Sequence, residues 1–185
     1  QLGTYVGTIS TSASGANGQL NMMFFPAAAA GGSANRLDVW NMYNRVAVAS
    51  TCRDSDNTWA YTTATIRSSN NNTANRITCV CGLNEDAVSV IAQGASNNSA
   101  AANVARITGI GLDSTSVISG FPGHVEAGNT QPLATATAHY AGLTGLGSHF
   151  FQWLEYSAAT GTTTWYGDNA APTLTQNGIQ MNWLM

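Results

Sequence analysis

The end of the chain has the clearest alternation of apolar and polar positions. Between residues 178 and 185, apolar side chains recur at every second position, which is the period of a β-strand. These side chains share one face of the strand, and Met185 is assigned to that face past a slip in the strand register: Ile179, Met181, Trp183 and Met185. A segment this apolar is not expected to fray in water. We therefore predict a central strand and assign these four side chains to an oligomer interface near a symmetry axis.

The same alternation recurs along most of the chain. Its clearest internal example is residues 58–67, where Trp59 and Tyr61 lie on one face and Ala60 and Ile66 on the other. The other predicted strands cover residues 5–9, 36–50, 76–83, 87–92, 103–112, 115–118, 134–140, 149–156, 162–166 and 179–185. About ten short strands, separated by Gly, Asn and Ser clusters, predict an all-β protein, an antiparallel β-sandwich of the jelly-roll type.

Composition limits the domain organisation and the setting. A length of 185 residues predicts one domain, residues 1–185, in which residues 1–35 include an arm or an irregular assembly segment. Charged residues make up 8% of the chain and none is Lys, whereas 44% of residues are hydrophobic, which excludes a disordered chain. A net charge of only −3 favours association of a free monomer. This composition suits a rigid protein that is extracellular or bound to a particle.

Several partners and compartments are not expected. No basic cluster provides the electrostatic footprint of nucleic-acid binding, and no apolar stretch is long enough to span a membrane. The first residues lack the charged and apolar regions of a signal peptide. Three cysteines do not form an even disulfide framework, and we interpret Cys52, Cys79 and Cys81 as small buried side chains rather than metal ligands.

The residues that could carry chemistry are few. Glu155 and Asp168 could in principle form a glycosidase pair, but an ion pair between Glu155 and an Arg of the sheet is the favoured interpretation. Residues 54–57 place oxygen-bearing side chains at alternate positions, as calcium loops do. They lack the Gly and the final Glu of an EF-hand, so a turn is favoured. We predict no catalytic residue, no cofactor and no metal.

Polar loops and aromatic residues suggest a possible ligand surface. Trp165 and Tyr166, flanked by Thr and Gly, could stack on a sugar ring, and the amides of Asn70, Asn71 and Asn72 could bind its hydroxyls. The alternative is that the loops at residues 68–74, 94–102 and 120–132 are solvated connections or subunit contacts. Three Arg residues lie in strand-like segments: Arg45, Arg67 and Arg76. The candidate ion-pair partners for them are Asp38, Asp54, Glu85 and Asp86.

Three segments, residues 40–46, 56–67 and 75–86, resemble a family of small structural proteins of tailed bacteriophages and prophages. Residues 149–156, 163–167 and 179–185 are similar to the closing strands of tumour-necrosis-factor-like jelly rolls, in which the last strand lies beside a three-fold axis. The chain departs from the phage pattern at Met42, Ile66 and the Cys79/Cys81 pair.

The resemblance implies a homotrimer on the virion surface, with capsid or fibre proteins as partners and no catalytic residues. The implied function is capsid decoration or a head- or tail-fibre domain with an assembly role. One alternative is a fibre tip that binds a receptor or host surface glycan, and another is a polysaccharide hydrolase.

Overall fold

The computed structural model describes residues 6–9, 30–32, 35–37, 39–127, 133–167 and 176–185. These residues form β-strands and one short 3₁₀ turn, Ser69–Asn71, and contain no α-helix, so the all-β prediction is confirmed. The strands are β1 (Gly7–Ile9), β2 (Asn35–Leu37), β3 (Val39–Asn41), β4 (Ala47–Cys52), β5 (Thr58–Tyr61), β6 (Ile66–Ser68), β7 (Arg76–Cys81), β8 (Val88–Asn98), β9 (Val104–Leu112), β10 (Gly123–Ala127), β11 (Ala134–Gly142), β12 (Gly147–Ser157), β13 (Thr163–Tyr166) and β14 (Gly178–Leu184). In this part of the chain, no helix is long and apolar enough to cross a membrane.

Two six-stranded sheets contain most of these strands. Sheet I has the order β4-β14-β8-β13-β5, and β11 pairs with the opposite edge of β8. Sheet II has the order β10-β9-β12-β7-β2, and β6 also pairs with β12. All pairs are antiparallel except β2 with β7, which is parallel. Of the predicted arm, residues 1–35, the structure describes residues 6–9, 30–32 and 35; β1 within it pairs with β3, and the other arm residues lie outside the described ones.

The last strand is central, as predicted, because β14 pairs with β4 on one side and β8 on the other. Its apolar face points into the core of the chain itself. Ile179, Met181, Trp183 and Met185 are 1%, 0%, 3% and 7% exposed, respectively. No slip occurs, since the backbone of Met185 continues the ladder through reciprocal bonds with Val46 of 2.9 and 3.1 Å. These four side chains are buried within a single chain, and no second subunit is needed to cover them. Their assignment to an oligomer interface was therefore wrong.

Other strand boundaries differ from the prediction. The segment 58–67 is split into β5 and β6, and residues 115–118 form no strand. β8 continues to Asn98 and so includes residues 94–98 of the predicted loop at 94–102, and β10 lies inside the predicted loop at 120–132. The three cysteines are free and buried, as expected.

Candidate functional site

A network of carboxylates and amides surrounds the 3₁₀ turn that follows β6. Asp54, two positions after the end of β4, is completely buried and accepts four hydrogen bonds. Its Oδ1 accepts from the backbone N–H groups of Gly31 and Asp56, both at 3.0 Å. Its Oδ2 accepts from the side-chain amides of Asn70, at 2.8 Å, and Asn75, at 2.9 Å. The turn and the end of β4 are thus held together by one buried carboxylate.

Asp56 shares two of these donors with Asp54. Its Oδ2 accepts from Asn70 Nδ2 at 2.7 Å and from the Gly31 N–H at 3.2 Å. Asp56 is half-buried, so the network opens to solvent on its side. The ion pairs of the described residues involve Arg45, Arg67 and His149, and none includes Asp54 or Asp56. Among the described residues, these two neighbouring carboxylates are therefore held by neutral donors.

A second buried carboxylate, Glu155, lies beside the turn. It is 1% exposed and accepts hydrogen bonds from Trp59 Nε1 at 2.6 Å and from Arg67 Nε at 2.7 Å. The Arg67 guanidinium also lies 3.7 Å above the ring of Tyr61. Burial raises the pKa of Glu155, while the hydrogen bond from Trp59 and the charge of Arg67 oppose that rise. The predicted pairing of Glu155 with an Arg is confirmed, and its candidate catalytic partner Asp168 lies outside the described residues.

The candidate sugar-binding residues do not form an exposed site together. Trp165 is 1% exposed, so its assignment as a surface stacking platform was wrong. Its ring lies against Gly94, where an added Cβ would approach the ring carbon Cζ3 to 3.0 Å. Tyr166 is half-buried and its hydroxyl accepts from Asn97 Nδ2 at 3.0 Å. Among the three loop asparagines, Asn70 donates to the carboxylates of Asp54 and Asp56. Asn71 is exposed, and Asn72 Oδ1 accepts a hydrogen bond from the backbone N–H of Ala74.

The largest feature that the sequence analysis missed is the outer face of sheet I, where β4, β14, β8 and β11 lie side by side. Its residues alternate with the core residues of the same strands: Ala47, Ala49, Thr51, Ser89, Ile91, Gln93, Thr137, His139, Ala141, Gln180, Asn182 and Leu184. No Asp, Glu, Lys or Arg lies among them. Ile91 and Leu184 are 43% and 41% exposed, and a groove of about 130 Å³ at one edge is bounded by Arg53. The polar half of the alternation in residues 178–185 was the signal that could have identified this face.

Several charged side chains form ion pairs outside that face. Arg45, before β4, contacts Glu85 at 3.3 Å and also pairs with Asp86, as predicted. Asp113 and His149 form a further pair at 2.7 Å. None of these pairs includes a residue of the outer face of sheet I, and the exposed Arg53 lies at its edge.

Arg106, on β9, is a buried cation that the sequence did not reveal. It is 0% exposed, and its Nη1 donates to the backbone carbonyl of Ser96 at 2.6 Å. Its Nε and Nη2 have no hydrogen-bond partner among the described residues. Burial lowers the pKa of the guanidinium. Within the part of the chain that the structure describes, this charge therefore lacks the compensation that buried charges normally have.

Comparisons with known proteins add no family to this geometry. Neither protein-family models nor curated proteins match the chain. In the described residues, no group of three or more His, Cys, Asp or Glu side chains is placed to hold a metal ion.

Proposed function

We propose that this protein is a non-enzymatic structural subunit of a phage-like particle, and that copies of it associate through the outer face of sheet I. The observation that carries the proposal is that four adjacent strands present an exposed face without Asp, Glu, Lys or Arg. Burying charged groups at an interface costs free energy unless they are paired, and the centres of protein interfaces are depleted in them. This face can be buried without that cost.

The side chains of the face also suit a close contact between copies. Ala and Ser residues allow two backbones to approach, and the Thr, Gln and Asn side chains can exchange hydrogen bonds across a boundary. Ile91 and Leu184 provide apolar contact area at its middle and end. The face includes the outward residues of β14, so the terminal strand still lies at the proposed interface, but through Gln180, Asn182 and Leu184 rather than through its buried side.

We further infer that the sandwich is of the jelly-roll type. The eight strands of five residues or more form four nested antiparallel pairs: β4 with β14, β7 with β12, β8 with β11, and β9 with β10. The pairs β4–β14 and β8–β11 lie in sheet I, and the pairs β7–β12 and β9–β10 lie in sheet II. A long hairpin whose nested pairs alternate between two sheets in this way is the double Greek key of a jelly roll. This order agrees with the resemblance of the closing segments to trimeric jelly rolls, on which the proposed three-fold symmetry rests.

The alternative functions receive less support from the described residues. A sugar-binding tip loses its proposed platform, because Trp165 is in the core. A hydrolase would need an accessible carboxylate pair, whereas Glu155 is buried against Trp59 and Arg67. We therefore propose capsid decoration or a fibre domain, with capsid or fibre proteins as further partners, on the virion surface.

The oligomeric state tests the proposal directly. We expect light scattering to give a trimer mass for the wild-type protein at micromolar concentration and a monomer mass for Ile91→Asp, because each copy would place one carboxylate in the contact. Leu146→Asp is the matched control, since Leu146 is 66% exposed on the connection before β12, and this variant should remain trimeric. A monomeric wild-type protein, or an Ile91→Asp variant that remains trimeric, would contradict the proposed interface.

A separate measurement tests the particle. Immunogold labelling of particles should mark the head shell if the protein decorates the capsid, or the fibre if it is a fibre domain. Absence of the protein from purified particles would refute the structural role.

A further inference from the structure

Among the described residues, the most exposed large apolar side chain is Phe121, at the edge of sheet I. It is 80% exposed. Its backbone exchanges two hydrogen bonds with His139 of β11, at 2.8 and 2.9 Å. Residues that pair directly in this way point to the same side of a sheet. Since the side chain of His139 belongs to the outer face of sheet I, Phe121 extends that face by one more position.

The backbone around Phe121 holds its ring in a fixed place. Gly120, with a φ of +89°, lies so close to β11 that an added Cβ would come within 2.7 Å of the His139 carbonyl. On the other side, Pro122 restricts the chain through its fixed φ. A ring that is already positioned loses little freedom when it is buried in a contact, and aromatic side chains are enriched at the centres of protein interfaces.

The same face contains the groove of about 130 Å³ between β4, β14 and β8. A glycine in the middle of a cross-strand row explains its position. Gly178 pairs with Gln93, and an added Cβ at Gly178 would lie 3.0 Å from Cγ of Arg53. Gln93 and Arg53 therefore flank a position that has no side chain. Ile91 and Gln180, which pair with each other in the next row, also line the groove.

We propose that Phe121 of one copy occupies this groove on the next copy, an inference that rests on the proposed association of copies through the outer face. The groove is close in size to a cavity of roughly 150 Å³ that accepts a benzene ring in another protein. Ile91 provides apolar contact for the ring. The exposed Arg53 can lie against the ring in a cation–π contact, which requires no carboxylate on a face that has none.

Distance requires the ring to come from a second chain. Phe121, His139, Ile91 and Gln180 follow one another in register across the sheet, so three strand spacings, about 14 Å in all, separate Phe121 from β14. A phenyl side chain is too short to span that distance within one chain. Because the ring and the groove are different surfaces, the contact is heterologous, and repeated contacts of this kind form a ring of subunits when the rotation closes.

The first experiment measures the mass of the full chain by light scattering over a series of protein concentrations. Phe121→Ala should weaken each contact about 10- to 100-fold, so the trimer should dissociate at a higher protein concentration than the wild type does. Gln93→Trp, which fills the groove from the other partner, should have an effect of the same order. Val117→Ala is the matched control, because Val117 is 61% exposed on the same connection between β9 and β10. A Phe121→Ala variant that dissociates at the same concentration as this control would overturn the proposal.

The second experiment identifies the partner surface by photocrosslinking. p-Azidophenylalanine in place of Phe121 keeps the aromatic ring and forms a covalent bond on irradiation. We expect mass spectrometry to locate the bond at Gln93, Gln176 or Gln180 of another copy. Denaturing gels should show covalent dimers and trimers, because each chain provides both a ring and a groove. Cross-links outside the groove, or products that stop at the dimer as a reciprocal two-fold contact requires, would overturn the proposal.

These outcomes separate the failure of this inference from the failure of the proposed function. A monomeric wild-type protein would contradict both. A wild-type trimer that Ile91→Asp dissociates would retain the proposed interface. If Phe121→Ala leaves that trimer as stable as Val117→Ala does, and the cross-links lie outside the groove, only the pairing of Phe121 with the groove is refuted.

Discussion

The buried guanidinium of Arg106 leads to a prediction opposite to the usual effect of core substitutions. Arg106→Met replaces an uncompensated buried cation with an apolar chain of similar reach. We expect the variant to be more stable than the wild type. The reason is that only Nη1 has a partner, the Ser96 carbonyl at 2.6 Å, while Nε and Nη2 have none among the described residues.

The magnitude follows from these contacts. Nε and Nη2 carry three N–H groups, and each buried donor without a partner costs roughly 1–3 kcal/mol. The substitution removes that cost, but it also removes the charged hydrogen bond to Ser96, worth roughly 1.5–3 kcal/mol, and leaves the carbonyl without this donor. Replacement of buried charges by apolar side chains stabilises some proteins by about 1–4 kcal/mol. We expect a gain of about 1–3 kcal/mol in the free energy of unfolding, which for a chain of this length raises the melting temperature by about 2–4 °C per kcal/mol.

Urea denaturation followed by Trp fluorescence measures this difference. Arg53→Met is the matched control, because Arg53 is exposed and bonds only to Gln176 among the described residues, at 2.8 Å; its replacement should change stability by less than about 0.5 kcal/mol. A loss of more than about 1 kcal/mol in Arg106→Met would refute the reasoning. It would mean that the guanidinium is compensated by a group that these contacts do not include.

Two further predictions concern the core and its pH dependence. Trp183→Ala should reduce the free energy of unfolding by about 3–5 kcal/mol, because removal of an indole that is 3% exposed leaves a large cavity. The control Leu146→Ala should have little effect, since Leu146 is exposed. Equal losses of unfolding free energy for the two variants in urea denaturation would contradict the assigned packing. Burial raises the pKa of Glu155 above its ordinary value of 4.5, so its contribution to stability is complete below pH about 4.5 and is lost as the pH rises through the folded-state pKa. The stability of Glu155→Gln relative to the wild type should therefore increase with pH over this interval in paired urea titrations, and a flat or falling difference would be inconsistent with a raised pKa.

The strand pattern was predictable where one face of a strand is apolar and the other polar. β14 is the best example, because its side chains alternate and both of its neighbours lie in the same sheet. β10 was missed because His124 and Glu126 give its outer face the composition of a loop, although it pairs with β9 along its whole length. The end of β8 was missed for a related reason: Asn98 is polar but buried, and its amide donates to Thr163 Oγ1 at 2.8 Å.

The site residues were less predictable because their environment depends on contacts distant in sequence. Trp165 is flanked by Thr and Tyr, which suggests a surface position, but Gly94 on the neighbouring β8 leaves room for its ring in the core. Likewise, the side chains of Asp54 and Asn75 are separated by 21 positions and meet only because β4 and the turn after β6 are packed together. The pairing of Glu155 with an Arg was predictable in kind, since buried carboxylates need a partner, but not its choice of Arg67.

The position of β14 also constrains how the protein acquires its structure. Its register joins Ile179 to Cys52, which are 127 positions apart, so among the described strands β4 has no neighbour in sheet I until β14 has been synthesised. At roughly 5–20 residues per second, that interval lasts about 6–25 s on the ribosome. During this time β4 exposes unpaired backbone groups and the apolar sides of Val48 and Cys52, which is the condition under which strands aggregate. Sheet I therefore cannot be completed until β14 has been synthesised, and its folding is expected to be slow because this contact is non-local.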